Sequence, residues 1–180
     1  MNYNRNAVSS HCTKSLFLMR TWFICKARYQ KENEQGQIKN VTEPYLVDAF
    51  SYTEAESRIY EVLENMISGD FLIAQITKSN ISDVFYFEGF DLWFKGKIIY
   101  HVTDGDSGKE KKVTNYMFVS AENVKDAYDK LEESLQNMMV SYNITSISES
   151  PVLEVFPYNS SDENTTDEGP ANLKPLSEIN

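Results

Sequence analysis

The chain has 180 residues, of which 41% are hydrophobic and 13% aromatic, and it carries a formal net charge of −10. This length suits one compact domain, and the high content of Phe and Tyr favours β-sheet. The negative charge argues against a protein whose whole surface attracts nucleic acid or an anionic membrane. The two cysteines, Cys12 and Cys25, form no disulfide framework, so we expect a reduced, cytoplasmic protein.

Both ends of the chain are polar and lack hydrophobic periodicity. We predict a mobile arm over residues 1–20, because its apolar run at 16–19 is too short for a signal peptide or a membrane span. Residues 159–180 contain five acidic residues and one lysine. Such a segment buries too little apolar surface to offset its ordering entropy, so we predict a disordered acidic tail. The predicted folded domain comprises residues 21–158.

Within this domain the chain repeats itself. Residues 22–87 and 93–158 align with an offset of 71 or 72, and both copies begin with Trp-Phe. Further matches are Lys26/Lys97, Tyr29/Tyr100, Val47/Val119, Ala55/Ala127, Leu63/Leu135, Ile76/Ile147, Ser79/Ser150 and Phe85/Phe156. A shared period indicates a duplicated structural unit. Because a unit of this size is marginally stable alone, we expect the two copies to share a core.

In the first copy we predict strands over residues 22–30 and 39–49, with Pro44 indicating an edge or bulged position. Ser51 and Glu54 then form a capping box that begins a helix. The helix is followed by strands over 71–77 and 82–87, which a polar kink at Ser79 and Asn80 separates.

The second copy follows the same order, with strands over 93–102 and 111–119 and a helix from Asn123 to Met138. Its last strands are predicted over 142–148 and 152–158. The sequence therefore predicts an α+β fold made of an internally duplicated ββαββ unit. We expect the two helices to pack on one large, mostly antiparallel sheet.

The candidate binding residues come from alternation along the first strand of each copy. One face carries core residues such as Phe23 and Phe94. The opposite face carries the candidates, which are Trp22, Lys26 and Arg28 in the first copy and Trp93, Lys95 and Lys97 in the second. Indole rings beside cations on an exposed sheet face suit stacking on unpaired bases and neutralisation of phosphates. The more common explanation is a face that packs on a second sheet or on another copy, with lysine stems covering apolar surface.

The charge is unevenly distributed. Residues 20–48 contain five basic and four acidic residues, and residues 93–120 contain five and three. The helical segments are acidic. Residues 51–70 contain one basic and five acidic residues, and residues 121–139 contain two basic and five acidic residues. The hairpins are therefore slightly positive, and a net acidic protein can bind nucleic acid through such a face.

We find no catalytic constellation, metal site or cofactor motif. His11 lies in the predicted arm and His101 at a strand end, and there is neither a Gly-rich phosphate loop nor a nucleophile elbow. Residues 104–108 are better explained as a hairpin turn than as a calcium loop, because the remaining ligands are missing. The sequence predicts a protein that is not an enzyme and has no cofactor.

Several stretches carry a family resemblance: residues 22–29, 41–49 and 51–56, followed by 93–97 and 155–158. Over about residues 21–158 the chain resembles an uncharacterised domain-of-unknown-function family of Bacteroidetes and their phages. The resemblance implies an intracellular bacterial or phage-encoded protein and no particular activity. From Phe71 onward, the order ββββα is also similar to the repeats of Whirly and PUR-type single-strand binders, although this chain begins with ββα and ends with ββ.

Two functions follow as hypotheses. The first is non-enzymatic binding of single-stranded nucleic acid through the aromatic and basic sheet face. The alternative is a protein–protein interaction or virion-assembly module with no nucleic-acid role, whose open face contacts a second copy or a phage or host protein. Neither hypothesis involves a membrane.

Overall fold

A computed structural model describes residues 19–103, 105 and 108–158. The first half comprises β1 (Thr21–Glu32), β2 (Ile38–Ala49), α1 (Tyr52–Met66), β3 (Phe71–Lys78) and β4 (Ile81–Phe85). The second half comprises β5 (Trp93–Thr103), β6 (Glu110–Ser120), α2 (Val124–Ser134), β7 (Tyr142–Ser150) and β8 (Val155–Phe156). The predicted α+β class and the ββαββ order of each half are confirmed, and duplication stays an inference from this correspondence. The acidic tail and residues 1–18 of the predicted arm lie outside the described residues.

Both helices begin at a reciprocal cap. The Ser51 hydroxyl accepts from the Glu54 N–H at 3.2 Å, and the Glu54 carboxylate accepts from the Phe50 N–H at 2.8 Å. Asn123 accepts from the N–H of Asp126 at 3.1 Å, and the Asp126 carboxylate accepts from Glu122. Each cap satisfies amides that have no partner inside the helix, so both helix starts are fixed locally.

The predicted end of the second helix is wrong. The helix ends at Ser134, and Leu135 leaves the helical conformation with φ −96° and ψ 0°. Leu135 and Met138 still pack against the helix–sheet core of the second half. These two residues therefore follow the spacing of a helix and stay in the core, although the backbone is no longer helical there.

The prediction of one large sheet is also wrong, because the strands form two four-stranded sheets. The first has the order β3-β1-β2-β8 and the second β4-β6-β5-β7. The last strand of each half crosses to the sheet of the other half and pairs there in parallel. Val84 of β4 pairs with Phe118 of β6, and Val155 of β8 pairs with Leu46 of β2. We call this arrangement the strand exchange.

Each crossing takes place at a serine turn. The Ser79 hydroxyl accepts from the Ile81 N–H at 3.2 Å, and the Ser150 hydroxyl accepts from the Val152 N–H at 3.3 Å. A short serine turn redirects the chain without leaving backbone donors unsatisfied. The polar kink predicted at Ser79 is therefore the point at which the chain passes from one sheet to the other.

Pro44 lies on the outer side of β2, beyond the short pairing with β8. Its carbonyl accepts from the Leu153 N–H at 2.9 Å. The nitrogen and carbonyl of one strand residue point to the same side, so the missing N–H of Pro44 faces away from β1. Pro44 therefore lies on the side of β2 that only the short strand β8 and the segment before it cover, and the predicted edge or bulged position stays a prediction.

A cation on each helix holds the chain just after the exchanged strand. On α1, the Arg58 guanidinium donates to the carbonyls of Asp48 and Pro157 and lies 4.9 Å from the Tyr158 ring centroid. On α2, the Lys130 ammonium donates to the Ser120 carbonyl at 3.3 Å and lies over the rings of two phenylalanines, which are Phe87 at 4.9 Å and Phe90 at 3.2 Å. These cation–π contacts tie both exchanged strands to a helix of the sheet that they join.

Arg20 adds to the contact in the first sheet. Its guanidinium lies 4.1 Å from the Tyr158 ring centroid and 5.3 Å from that of Phe50. Arg20, the last residue of the predicted arm, thus packs its side chain on two aromatic rings.

The halves share a core, as expected. Each sheet packs its helix on one face, with Phe23, Ile59 and Leu63 in the first half and Phe94, Leu131 and Leu135 at the equivalent positions of the second. The other faces of the two sheets pack on each other. This inter-sheet core consists of Leu46, Ile81, Trp93, Phe118 and Val152, flanked by Trp22, Ile24, Val84 and Val155.

We predict that Gly96→Ala destabilises the protein by about 1–3 kcal/mol, the usual cost of overpacking a tight core. A Cβ at Gly96 would lie 2.6 Å from Cδ1 of Leu131, which is fully buried. Urea denaturation measures the change, and Leu131→Val should recover part of it. Gly105→Ala is the matched control, because a Cβ there meets no atom within 4 Å. Equal stability of the two alanine variants would contradict this packing.

A second prediction concerns Asp48, whose carboxylate accepts from the Tyr158 N–H. Burial raises the pKa of Asp48, although Arg20, this hydrogen bond and Arg58 act in the opposite direction. A carboxyl whose pKa is higher in the folded protein stabilises it fully below the unfolded pKa of about 3.9, and that stabilisation is lost as the pH rises through the folded pKa.

Asp48→Asn should therefore be more stable than the wild type at pH 7, because the amide oxygen still accepts from Tyr158. The difference should shrink as the pH is lowered towards 3, as measured by denaturation at a series of pH values. Asp129→Asn, on the exposed side of α2, is the control. A loss of stability at pH 7 that disappears as the pH is lowered would instead show that the charge of Asp48 stabilises the fold.

Candidate functional site

The two tryptophans lie on the predicted face but not on an exposed one. Trp93 is 5% exposed, and its ring lies 6.4 Å from that of Phe118 in a stacked arrangement. Trp22 is half-buried and packs against the same inter-sheet core. The expectation of an exposed face is wrong for Trp93, because the strand exchange brings the helix-free faces of the two sheets together. Its ring is therefore closed to a stacking base.

Beyond the inter-sheet core, the helix-free face of the second sheet is open to solvent. Lys95 and Lys97 project from it, and Tyr116 is paired directly with Lys97 across β5 and β6. The Lys95 ammonium lies 4.5 Å from the Tyr116 ring centroid and donates to the Asn80 side chain at 2.9 Å. Further along, Lys112 pairs with His101, and both are exposed. Paired residues share a face of the sheet, so these side chains form one surface.

We call Lys95, Lys97, Lys112 and Tyr116 the lysine face. Among the described residues, no carboxylate lies within ion-pair distance of its three lysines. By contrast, Lys31 pairs with Glu43 at 3.0 Å and Lys130 with Asp126 at 2.8 Å. Burial also lowers the pKa of Lys95, the effect of a charge that has lost water without gaining an anion. The lysine face therefore offers three ammonium groups without an ion pair, and the one acidic residue of β6, Glu110, lies at the end of the strand beyond Lys112.

The first sheet contributes less to this surface. Lys26 and Lys95 line one cleft of about 370 Å³ between the sheets, which we call the inter-sheet cleft. Arg28 is not brought to it and lines a separate cavity with Gly69 and Leu72. The structure thus brings Lys26 and Lys95 to one cleft, places Lys97 on the lysine face and leaves Arg28 apart.

The two halves differ at this surface. The first-half positions equivalent to Lys95, Lys112 and Tyr116 hold Ile24, Asn40 and Pro44. Only Lys97 has a cationic counterpart, which is Lys26. The cationic and aromatic set is therefore a property of the second sheet.

Tyr116 and Lys112 were missed in the sequence analysis. Alternation along β6 places residues 112, 114, 116 and 118 on one face, which would have identified both side chains. Reading only the first strand of each copy selected the tryptophans instead.

The charges of the helices face away from this surface. The exposed residues Glu56, Glu61 and Glu64 lie on α1, and Asp129, Glu132 and Glu133 lie on α2. Since the helices cover the opposite faces of the sheets, the acidic residues of the helices lie apart from the lysine face. This agrees with the uneven charge expected from the sequence.

An apolar groove lies between α2 and β7. It is lined by Val124, Tyr128, Ile144 and Ile147, and Val124 is 52% exposed. In the first half, the residue equivalent to Val124 is Tyr52, whose ring lies 4.9 Å from that of Phe23. In the second half this position holds the smaller valine, which lines the open groove.

Among the described residues we find neither a reactive thiol nor a metal-binding cluster. Burial, followed by the charge of Glu56, raises the pKa of the Cys25 thiol to about 12, so the nucleophilic thiolate is scarce near neutral pH. No group of three His, Cys, Asp or Glu side chains within 19–103, 105 and 108–158 could hold a metal ion. No helix in this part of the chain is long and apolar enough to cross a membrane.

The family match covers the whole of both halves. The chain belongs to the family described as a domain of unknown function, DUF4494, which matches residues 21–158. No curated protein and no solved structure matches the chain. The similarity to Whirly and PUR-type repeats therefore stays a prediction.

We predict that the two tryptophans differ in solvent access. A Trp22→Phe variant retains only Trp93, whose fluorescence acrylamide should quench weakly because the indole is buried. A Trp93→Phe variant retains only Trp22 and should be quenched more strongly. Trp93→Ala should also cost about 3–5 kcal/mol of unfolding free energy, as expected for a large buried ring. Equal quenching of the two single-tryptophan variants would contradict the burial of Trp93.

Proposed function

We propose that the protein binds single-stranded nucleic acid, without catalysis, through the lysine face of its second sheet. The observation that carries the proposal is Tyr116 with Lys95 and Lys97 beside it and Lys112 further along the same face, three lysines with no carboxylate partner among the described residues. Uncompensated ammonium groups on a sheet attract a polyanion, and releasing its counterions favours binding.

The aromatic ring favours unpaired bases over a duplex. Tyr116 lies beside Lys97, and the Lys95 ammonium lies over its ring. A base that stacks on this ring would displace the ammonium, which could then pair with a phosphate of the same strand. A base in a duplex is already stacked and cannot use such a ring. Compared with the sequence hypothesis, Tyr116 replaces Trp93 as the stacking residue.

The segregation of charge supports the same orientation. The acidic helices repel a polyanion, whereas the open sheet face attracts it. A protein with a net charge of −10 would therefore bind through one face only. A bacterial or phage-encoded, cytoplasmic protein would meet such strands during replication or recombination.

Fluorescence anisotropy with labelled oligo-dT tests the proposal. The logarithm of the binding constant should fall linearly as the logarithm of the salt concentration rises. Each phosphate that a lysine neutralises contributes about −0.7 to the slope, so three lysines predict a slope of about −2. Lys97→Ala and Lys112→Ala should each make the slope shallower. Tyr116→Ala should weaken binding by about 1–3 kcal/mol, the usual range for base stacking.

Two control variants accompany this test. Tyr116→Phe keeps the ring and should bind as the wild type does, and Lys125→Ala removes an exposed lysine from the helix side. The proposal fails if binding is insensitive to salt, or if Lys125→Ala weakens it as much as Lys97→Ala does.

A second candidate function is a protein-interaction module, which the open groove between α2 and β7 favours. Val124, Tyr128 and Ile147 would be covered by an apolar segment of a partner or a second copy. Light scattering would then show a concentration-dependent dimer, or a co-purifying partner would be lost in a Val124→Asp variant. A monomer that binds oligo-dT and is unaffected by this substitution would exclude the second candidate.

A further inference from the structure

The inter-sheet cleft receives one lysine from each sheet. Lys26 reaches it from β1 and Lys95 from β5. Among the described residues, neither ammonium has a carboxylate within ion-pair distance. Two like charges that line one cleft repel each other, and a bound anion would remove the repulsion. The two ammonium groups of the inter-sheet cleft therefore favour an anion there.

The other groups at the cleft are compatible with an anionic ligand. Ser148 and Ser150 place hydroxyl groups along its wall, and Asn80 positions the Lys95 ammonium. Glu149 also lines the cleft, but its strand position pairs with Phe94, which faces α2, and its side chain is exposed at the rim. An oxyanion can accept hydrogen bonds from both ammonium groups and from the hydroxyls.

The inner end of the cleft is closed. Ile81, Phe118 and Val152 line it there, and each of them is at most 5% exposed within the inter-sheet core. A strand that passed through the cleft would have to open the inter-sheet core, whereas a strand end would not. The lysine face begins at the same place, because Lys95 belongs to both surfaces.

We propose that the inter-sheet cleft binds a phosphomonoester, either the terminal phosphate of a strand lying on the lysine face or the phosphate of a free mononucleotide. A terminal phosphate carries about −1.5 to −2 charges at pH 7, which matches two ammonium groups better than an internal diester does. Burial lowers the pKa of Lys95, and a bound anion would compensate for this desolvation. That the ligand comes from nucleic acid rests on the proposed function, whereas the phosphate site itself does not.

The full chain is tested with oligo-dT of one length in three forms: 5′-phosphorylated, 3′-phosphorylated and without terminal phosphate. One phosphorylated form should bind about tenfold more tightly than the unphosphorylated form, the effect of a charge-assisted contact. Lys26→Met keeps the aliphatic stem and removes the charge, so it should abolish this preference while leaving binding of the unphosphorylated strand nearly unchanged. Lys125→Met is the matched control and should keep the preference.

Titration calorimetry with thymidine monophosphate, thymidine and inorganic phosphate separates the two proposals. If no oligonucleotide binds but the monophosphate binds in a Lys26-dependent manner, the cleft is supported and the proposed function fails. If all three strands bind equally and depend on Lys97, the proposed function stands and the terminal-phosphate site is overturned. A preference that persists in Lys26→Met also overturns the assignment to this cleft.

Discussion

The strand exchange is the constraint on which the rest of this structure depends. Because β4 and β8 each complete the sheet of the other half, neither four-stranded sheet contains strands of one half alone. The crossings at Ser79 and Ser150 also bring the helix-free faces together. Burial of apolar side chains such as Trp93 and Phe118 between the sheets then stabilises both halves at once. The cations Arg58 and Lys130 hold the exchanged ends in place, so the two halves form one packed unit.

Because of the strand exchange, residues that recur in both halves are not by themselves evidence of a binding site. The identical pairs Trp22/Trp93 and Phe23/Phe94 serve the shared packing. The candidate surface keeps one identical pair, Lys26/Lys97, and otherwise lies where the halves differ, with Lys95 in place of Ile24 and Tyr116 in place of Pro44. An exchange that buries the tryptophans leaves the outer part of the second sheet open. The lysine face and the inter-sheet cleft are both consequences of this geometry.

Local features of the fold were predictable from the sequence, because their causes lie within a few residues. The caps at Ser51 and Asn123 and the alternation that places Phe23 and Phe94 on the core side follow from short-range hydrogen bonding and side-chain direction. The partner of β4 was not predictable in this way. Its pairing with β6 joins residues far apart in the chain, and the same strand pattern is compatible with one large sheet. The burial of Trp93 depends on that long-range pairing, and the identification of Tyr116 required the neighbouring strand.

Native-state hydrogen exchange in increasing denaturant tests the strand exchange most directly, because it reports the free energy at which each part of the structure opens. If the halves are held together by exchanged strands and a common core, the slowest amides of β1 and β2 and those of β5 and β6 should open in one step. Their free energies should converge on that of global unfolding. Two separate sets of free energies, with one half opening while the other stays protected, would contradict the account.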